Sequence, residues 1–261
     1  MLWTMRKVSI IVLSLFLSGC EKPEVKGCDT ACDTGGSQPV DDGPWAPLVL
    51  GNRGSGVNSA DNPYAENTLR SIQQALASGA DGVEIDVHQT SDGVLVLVQD
   101  ELLDQTTSCT GCVVSMSSTE LSQCLALSGT GQGESIPTLV EAIDAFSESY
   151  FSIEIRAPES CFGSHASVNE YVESSAQSVV DAIAATDARS RVQIASFDRA
   201  AVRIVENIQP NLHTALLWST GDVADYIDDA VWAGVDTLTG HGLVVKDSVS
   251  DAIRDSELEM W

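Results

Sequence analysis

The sequence predicts an α/β chain folded as a (β/α)8 TIM barrel, and three observations point there. From Ala46 onward, apolar strand-like runs alternate with helix-like segments to the end of the chain. The alternation supplies seven strands and the start of an eighth, which suits a barrel better than an open doubly wound sheet. No Gly-x-Gly-x-x-Gly follows the first strand, which weighs against a dinucleotide-binding fold.

The first strand, "PLVLG" (47–51), stops abruptly in Asn52-Arg53-Gly54, a turn carrying one amide and one guanidinium. In "ENTLRSIQQALASG", Leu69, Ile72, Ala75 and Leu76 share one helical face, with a polar start at Asn67 or Thr68 and a stop at Gly79. "DGVEIDVHQT" and "GVLVLVQD" read as strands separated by the turn signal Asp92-Gly93. Too little chain lies between them for a helix, so folding about that turn brings Asp86 back beside Gln99. "STELSQCLAL" and "TLVEAIDAFSES" read as helices, followed by strand "YFSIEIR", helix "NEYVESSAQSVVDAIAAT", strand "RVQIASFD" and helix "RAAVRIVENI". Strand "HTALLW", helix "GDVADYIDDAVWAG", strand "VDTLTG" and helix "SVSDAIRDS" complete the alternation. The stub "ELEMW" opens an eighth strand, so residues 46–261 are expected to form a barrel that is incomplete at its C-terminal end.

Ahead of the barrel, Arg6 and Lys7 precede the apolar run Val8 to Leu17, too short to span a bilayer and suited to a signal peptide over residues 1–19. Its end, Leu17-Ser18-Gly19-Cys20, resembles a bacterial lipobox. That resemblance implies cleavage before Cys20, lipid on that residue, and a protein anchored to the membrane in the cell envelope, outside the cytoplasm. Glu21 leans toward the outer membrane if the cell is Gram-negative. Residues 20–45 are rich in Gly, Pro, Asp and Thr without apolar periodicity and read as a flexible tether.

Six cysteines remain besides Cys20, an even number that reads as disulfides in an oxidising compartment. Cys28 and Cys32 could pair locally in the tether. Cys109 and Cys112 have C-x-x-C spacing but neither a redox strand-to-helix setting nor a second metal-ligand pair. Structural bridging, involving Cys124 or Cys161, is the better reading, with the connectivity open. Charge excludes one partner class: 13 Lys+Arg against 38 Asp+Glu leave no basic surface for tracking nucleic-acid phosphates.

Chemistry in a barrel collects at the C-terminal strand ends. Here those ends carry Asn52 and Arg53, Glu84 and Asp86, Gln99 and Asp100, Glu154 and Arg156, and Ser196. Because strand side chains alternate with period two, "VEIDV" sets Glu84 and Asp86 on one face, and "SIEIR" sets Glu154 and Arg156 together. Carboxylates turned into a core are costly unless a cation neutralises them, and three oxygen-donor side chains suit Mg2+ or Ca2+.

These pieces resemble the glycerophosphodiester phosphodiesterase family. The resemblance rests on "NRGSG" (52–56), "AENT" (65–68), "GADGVEIDVHQTSDG" (79–93), "VLVLVQDELLDQTT" (94–107), "IPTLVEAI" (136–143) and "IEIR" (153–156). It implies that Glu84, Asp86 and Glu154 bind a divalent cation, Ca2+ or Mg2+, and that Arg53, with Arg156 at the position of a usual Lys, holds the substrate phosphate. The implied reaction splits a glycerophosphodiester into sn-glycerol 3-phosphate and an alcohol. The family's acid/base pair is two histidines, and at those positions this chain has Asn52 and Gln99. An imidazole can take and return a proton near neutral pH; carboxamides can only hydrogen-bond the same oxygens. Another departure is Gln105, where an Arg is common. His88 shares the face of Glu84 and Asp86 and is a candidate substitute base, although the family often carries His there beside its normal pair. His165, His213 and His241 read as surface or packing residues. Turnover is therefore expected to be impaired, and the alternative is a non-catalytic surface lipoprotein that binds phosphodiesters or acts as a scaffold.

Overall fold

The computed structural model describes residues 10–13, 48–219, 223–240 and 259–260. In chain order its strands are β1 (Ile10–Leu13), β2 (Leu48–Asn52), β3 (Gly82–Gln89), β4 (Leu95–Leu97), β5 (Leu125–Leu127), β6 (Gly133–Ser135), β7 (Tyr150–Ile155), β8 (Val192–Ser196), β9 (His213–Trp218), β10 (Thr237–Gly240) and β11 (Glu259–Met260). Its α-helices are α1 (Leu69–Ala77), α2 (Ser118–Leu121), α3 (Leu139–Ala145), α4 (His165–Ala185), α5 (Arg199–Ile208) and α6 (Val223–Ala233).

The main sheet runs β1-β2-β3-β7-β8-β9-β10-β11, every neighbour parallel, with β4 antiparallel on β3. Strands that follow one another in chain order across a parallel sheet form the wall of a barrel, and the helices between them cover its outer face. Alternation builds that layering directly. Val83, Ile85 and Val87 of β3 and Phe151, Ile153 and Ile155 of β7 point into one apolar layer. There they meet Ile72 of α1, Leu139 and Ile143 of α3, and Val172, Val179 and Ile183 of α4. The intervening Glu84, Asp86 and Glu154 take the opposite face, as the period-two reading requires.

Local chemistry fixes where the helices begin. Thr68 caps α1 by accepting a hydrogen bond from Ser71 N, and Gly79 at φ +98° ends the following turn. Thr138 and Glu141 form a reciprocal capping box at α3, and Asp198 caps α5. The Asp92-Gly93 turn resolves as an antiparallel hairpin. Val87 pairs with Leu97, Thr90 N donates to Val94 O, and Gly93 takes φ +84°.

Two expected elements change. "STELSQCLAL" is helical only through Leu121, and Leu125–Leu127 instead pairs with Gly133–Ser135 as a hairpin. A Cys109–Cys124 disulfide, with Ser108 N donating to Leu125 O and Leu127 N to Thr106 O (both 2.8 Å), pulls the chain out of the helix. The fourth helix starts at His165, ahead of Asn169, because Ser164 supplies its cap. The second disulfide joins Cys112 to Cys161, so both halves of the C-x-x-C are structural.

Of the expected signal segment, Ile10–Leu13 is described, as a strand parallel to β2. Cys20, Cys28, Cys32, the tether, His241 and the helix "SVSDAIRDS" lie outside the described residues. The stub before Trp261 contributes β11, in register with β10.

Candidate metal and phosphate site

Register assembles the site. Asn52 stands opposite Glu84 across β2 and β3, and Asp86 stands opposite Glu154 across β3 and β7. One carboxylate oxygen each from Glu84, Asp86 and Glu154 lies within 4.8 Å of the other two, a spacing one ion could bridge. The three acids come from two strands: alternation along β3 sets Glu84 beside Asp86, and the β3–β7 register brings Glu154 to them. Asp86 and Glu154 are buried, and Glu84 keeps partial contact with solvent.

Two guanidinium groups face the carboxylates. Arg156 pairs through Nη1 with Glu154 and lies 3.8 Å from Asp86 Oδ1. Arg53 Nε lies 3.6 Å from Asp86 Oδ2, and its Nη1 donates to both oxygens of Glu66 at 3.2 Å. Burial opposes the charge on both arginines, but Asp86 and Glu66 around Arg53, and Glu154 and Asp86 around Arg156, outweigh it and hold them firmly protonated.

The carboxylates respond the opposite way. Burial, followed by repulsion from Asp86 and Glu154, pushes Glu84 well above the usual carboxylate range. Burial and Glu154 raise Asp86 to about 7, against the pull of Arg156, Arg53 and Asn67. Burial also raises Glu154, with Arg156 opposing. Three acids that resist ionisation together form a donor set that a divalent cation would relieve, so the residues present fit such an ion.

The Arg-Gly turn is held in an uncommon backbone. Arg53 takes φ +50° and Gly54 φ +82°. Arg53 N donates to Glu84 Oε2 at 3.0 Å, while Arg53 O accepts from Asn67 N (3.0 Å) and from Ser71 Oγ (2.9 Å). Gly54 is required for space as well as angle: a Cβ there would lie 2.5 Å from Ser71 Oγ and 2.7 Å from the Ser71 carbonyl carbon.

Gln99 follows β4 directly, and Val98 N donates to Asp86 O at 3.2 Å. The hairpin therefore carries the segment containing Gln99 alongside the carboxylates, as the short turn requires. His88 is 1% exposed, with Nδ1 in a long 3.5 Å contact with Tyr171 Oη. Burial and Arg156 lower its pKa to about 4, which keeps the ring neutral. His165 sits exposed at the start of α4, and His213 opens β9 beside Asp236. A cavity of about 490 Å3 extends from Glu154 and Arg156 past Ser196, Phe197 and Arg199, so of the three carboxylates it is Glu154 that lines it.

Reasoning from strands alone misses two contributors, Glu66 and Asn67, because they lie in the loop before α1. The signal was present in "AENT", whose buried Glu and left-handed Asn precede the helix cap.

Comparison with known proteins decides the family. Residues 53–258 match the glycerophosphoryl diester phosphodiesterase family. The chain belongs to that family. A glycerophosphodiester phosphodiesterase of Caldanaerobacter subterraneus is 32% identical over 177 residues, covering 67% of this chain and 68% of that protein. One from Bacillus altitudinis is 31% identical over 59% of this chain and 61% of its own length. Among solved structures, an Oleispira antarctica phosphodiesterase in complex with the product sn-glycerol-3-phosphate aligns with a TM-score of 0.67 at 23% identity, over 82% of this chain and 83% of that one. A Parabacteroides distasonis glycerophosphodiester phosphodiesterase aligns at 0.62 and 21%, over 82% and 83%. At these identities the structural likeness speaks to fold, which is the TIM barrel. Hydrolysis of glycerophosphodiesters is the chemistry this family membership supports, and its metal dependence agrees with the acidic cluster.

Proposed function

We propose that this protein binds a divalent cation, Ca2+ or Mg2+, and a glycerophosphodiester, and that its hydrolysis to sn-glycerol 3-phosphate and an alcohol is slow. The observation carrying this reading is the combination at one strand-end cluster. The carboxylates and arginines are intact, while the two proton-transfer positions hold Asn52 and Gln99. Glu84, Asp86 and Glu154 would hold the cation, which when bound polarises phosphoryl oxygens and offsets developing charge. Arg53 and Arg156 supply cationic donors for the phosphate next to that site. Neither Asn52 nor Gln99 can take a proton from the attacking hydroxyl or return one to the leaving alkoxide. General acid–base catalysis contributes about 10^2–10^4-fold, so that share of the rate is what this site forgoes.

A second reading, a binding-only lipoprotein, is favoured by the same two residues. The readings separate in one assay: release of sn-glycerol 3-phosphate from glycerophosphocholine by the parent protein and by Asn52→His/Gln99→His, each with Ca2+ or Mg2+. Measurable cation-dependent release by the parent, rising about 10^2-fold or more on double reversion, supports slow hydrolysis; no release by the parent supports the binding-only reading. Parent turnover within the range usual for enzymes, about 1–10^3 s−1, would refute the impaired-site reading. We further propose an envelope location through lipid on Cys20, supported by the lipobox-like sequence and by disulfides suited to an oxidising compartment. Cys20→Ser should shift the protein from the membrane fraction to the soluble fraction; unchanged membrane recovery would count against the anchor.

A further inference from the structure

We infer that Asn67 is the positioning residue that orients Asp86 for the cation, an inference that rests on the metal reading above. Its amide is used at both ends on one residue. Nδ2 donates to Asp86 Oδ2 at 2.9 Å, and Oδ1 accepts from Asp86 N at 3.0 Å. This two-point contact fixes which way the amide faces, since only Oδ1 can accept the backbone N–H. It also divides the Asp86 carboxylate. Oδ2 is committed to Asn67, with Arg53 Nε 3.6 Å away, whereas Oδ1 lies on the side of Arg156, which pairs with Glu154. Oδ1 is therefore the oxygen turned toward the carboxylate with which Asp86 would share an ion.

Asn67 is itself held from outside. It is 1% exposed and takes φ +59°, a left-handed conformation that Asn tolerates better than most residues. Its N–H donates to Arg53 O, so the same residue ties the Arg-Gly turn to the metal carboxylate. Glu66, next to it, exchanges hydrogen bonds with Asn58 (Asn58 N to Oε2 and Glu66 N to Asn58 Oδ1, both 3.0 Å) while accepting from Arg53. Thr68, on the other side, caps α1. The loop is thus pinned at both flanks, and its left-handed backbone at Asn67 sets the amide across both the N–H and the carboxylate of Asp86. Partners that orient metal ligands in this way are typically worth about 10–100-fold in metal affinity.

The test is Asn67→Gly in the full chain. Glycine accepts φ +59° freely, so the substitution keeps the backbone and deletes only the amide. Cation affinity is read by calorimetry with Ca2+ and by Tb3+ luminescence, alongside the denaturant midpoint in EDTA. The expected result is a lower EDTA midpoint, because Asp86 N–H and Oδ2 lose a buried partner, together with affinity lowered about 10-fold or more in the fully folded variant. Asn62→Ala serves as a control for a merely structural effect. It removes an amide that bonds the carbonyls of Gly56 and Val57 without touching Asp86, and should leave cation affinity unchanged. Should Asn67→Gly fail to fold, Asn67→Ser, whose hydroxyl is too short to make both contacts, takes its place with the same expected loss. Equal affinity in parent and variant overturns the role of Asn67 while leaving the metal site standing. A parent that binds no cation overturns the metal reading itself, and this inference with it.

Discussion

Cutting the Cys112–Cys161 disulfide is the perturbation whose size follows most directly from the fold. The bridge closes a separation of 49 residues, against 15 for Cys109–Cys124. Constraining the unfolded chain by loops of those lengths stabilises by about 4 and about 3 kcal/mol respectively. A domain of this size moves about 2–4 °C in Tm per kcal/mol, so Cys112→Ser/Cys161→Ser should lower Tm by roughly 8–16 °C. The two loops interleave along the chain, so removing both bridges is not expected to cost the sum. The longer bridge also has a local role. It fastens the loop after β4, which follows Gln99, to the turn after Arg156, where Ser160 N and Cys161 N donate to the Glu101 carboxylate at 2.9 and 3.3 Å. Cys112→Ser/Cys161→Ser, Cys109→Ser/Cys124→Ser and the parent would be unfolded by heat under non-reducing conditions, with fluorescence and circular dichroism as independent probes. The reasoning is refuted if Cys112→Ser/Cys161→Ser unfolds at the parent's midpoint, or if losing the shorter loop is clearly the more damaging.

Three other perturbations have definite signs. Glu154→Ala should abolish cation binding by calorimetry, and in the parent the affinity should rise as pH passes about 7, because Asp86 must lose its proton to act as a ligand; affinity that is flat between pH 5.5 and 8 would contradict this. Glu206 on α5 is raised to about 7, first by burial and then by Asp236, against a hydrogen bond from Thr214. A carboxyl with a raised folded-state pKa favours the folded state at low pH, and that stability is lost as pH rises from about 4.5 to about 7. Glu206→Gln should therefore flatten the decline in unfolding midpoint over that window, and a slope identical to the parent's would show that Glu206 is not its source. Gly54→Ala combines a left-handed φ with a Cβ driven against the α1 backbone, and should destabilise by more than about 1 kcal/mol while displacing Arg53. A denaturation curve superimposable on the parent's would show that the turn is looser than its geometry implies.

The strand faces were legible in the residues alone. Alternation within "VEIDV" and "SIEIR" puts three acids on one side and Val83, Ile85, Ile153 and Ile155 on the other, because a pleated strand turns successive side chains to opposite faces. The turn at Asp92-Gly93 was legible too, and with it the return of the Gln99 segment to Asp86, since so short a connection permits little else. Sequence also determined the chemical departure, for no packing turns Asn52 and Gln99 into proton carriers.

Tertiary structure alone decided which acids meet. Glu154 stands opposite Asp86 because β7 lies beside β3, with β4 displaced onto the antiparallel hairpin, and no local pattern encodes that adjacency. The same holds for the pairing of Cys109 with Cys124, which ended a helix that periodicity alone extends through Leu127. It holds again for Asn67, whose partner lies 19 residues away and is reached only when the loop before α1 folds over the end of β3. Local pattern specifies the direction of a side chain; long-range register and loop closure specify what it touches, and the carboxylate cluster depends on both.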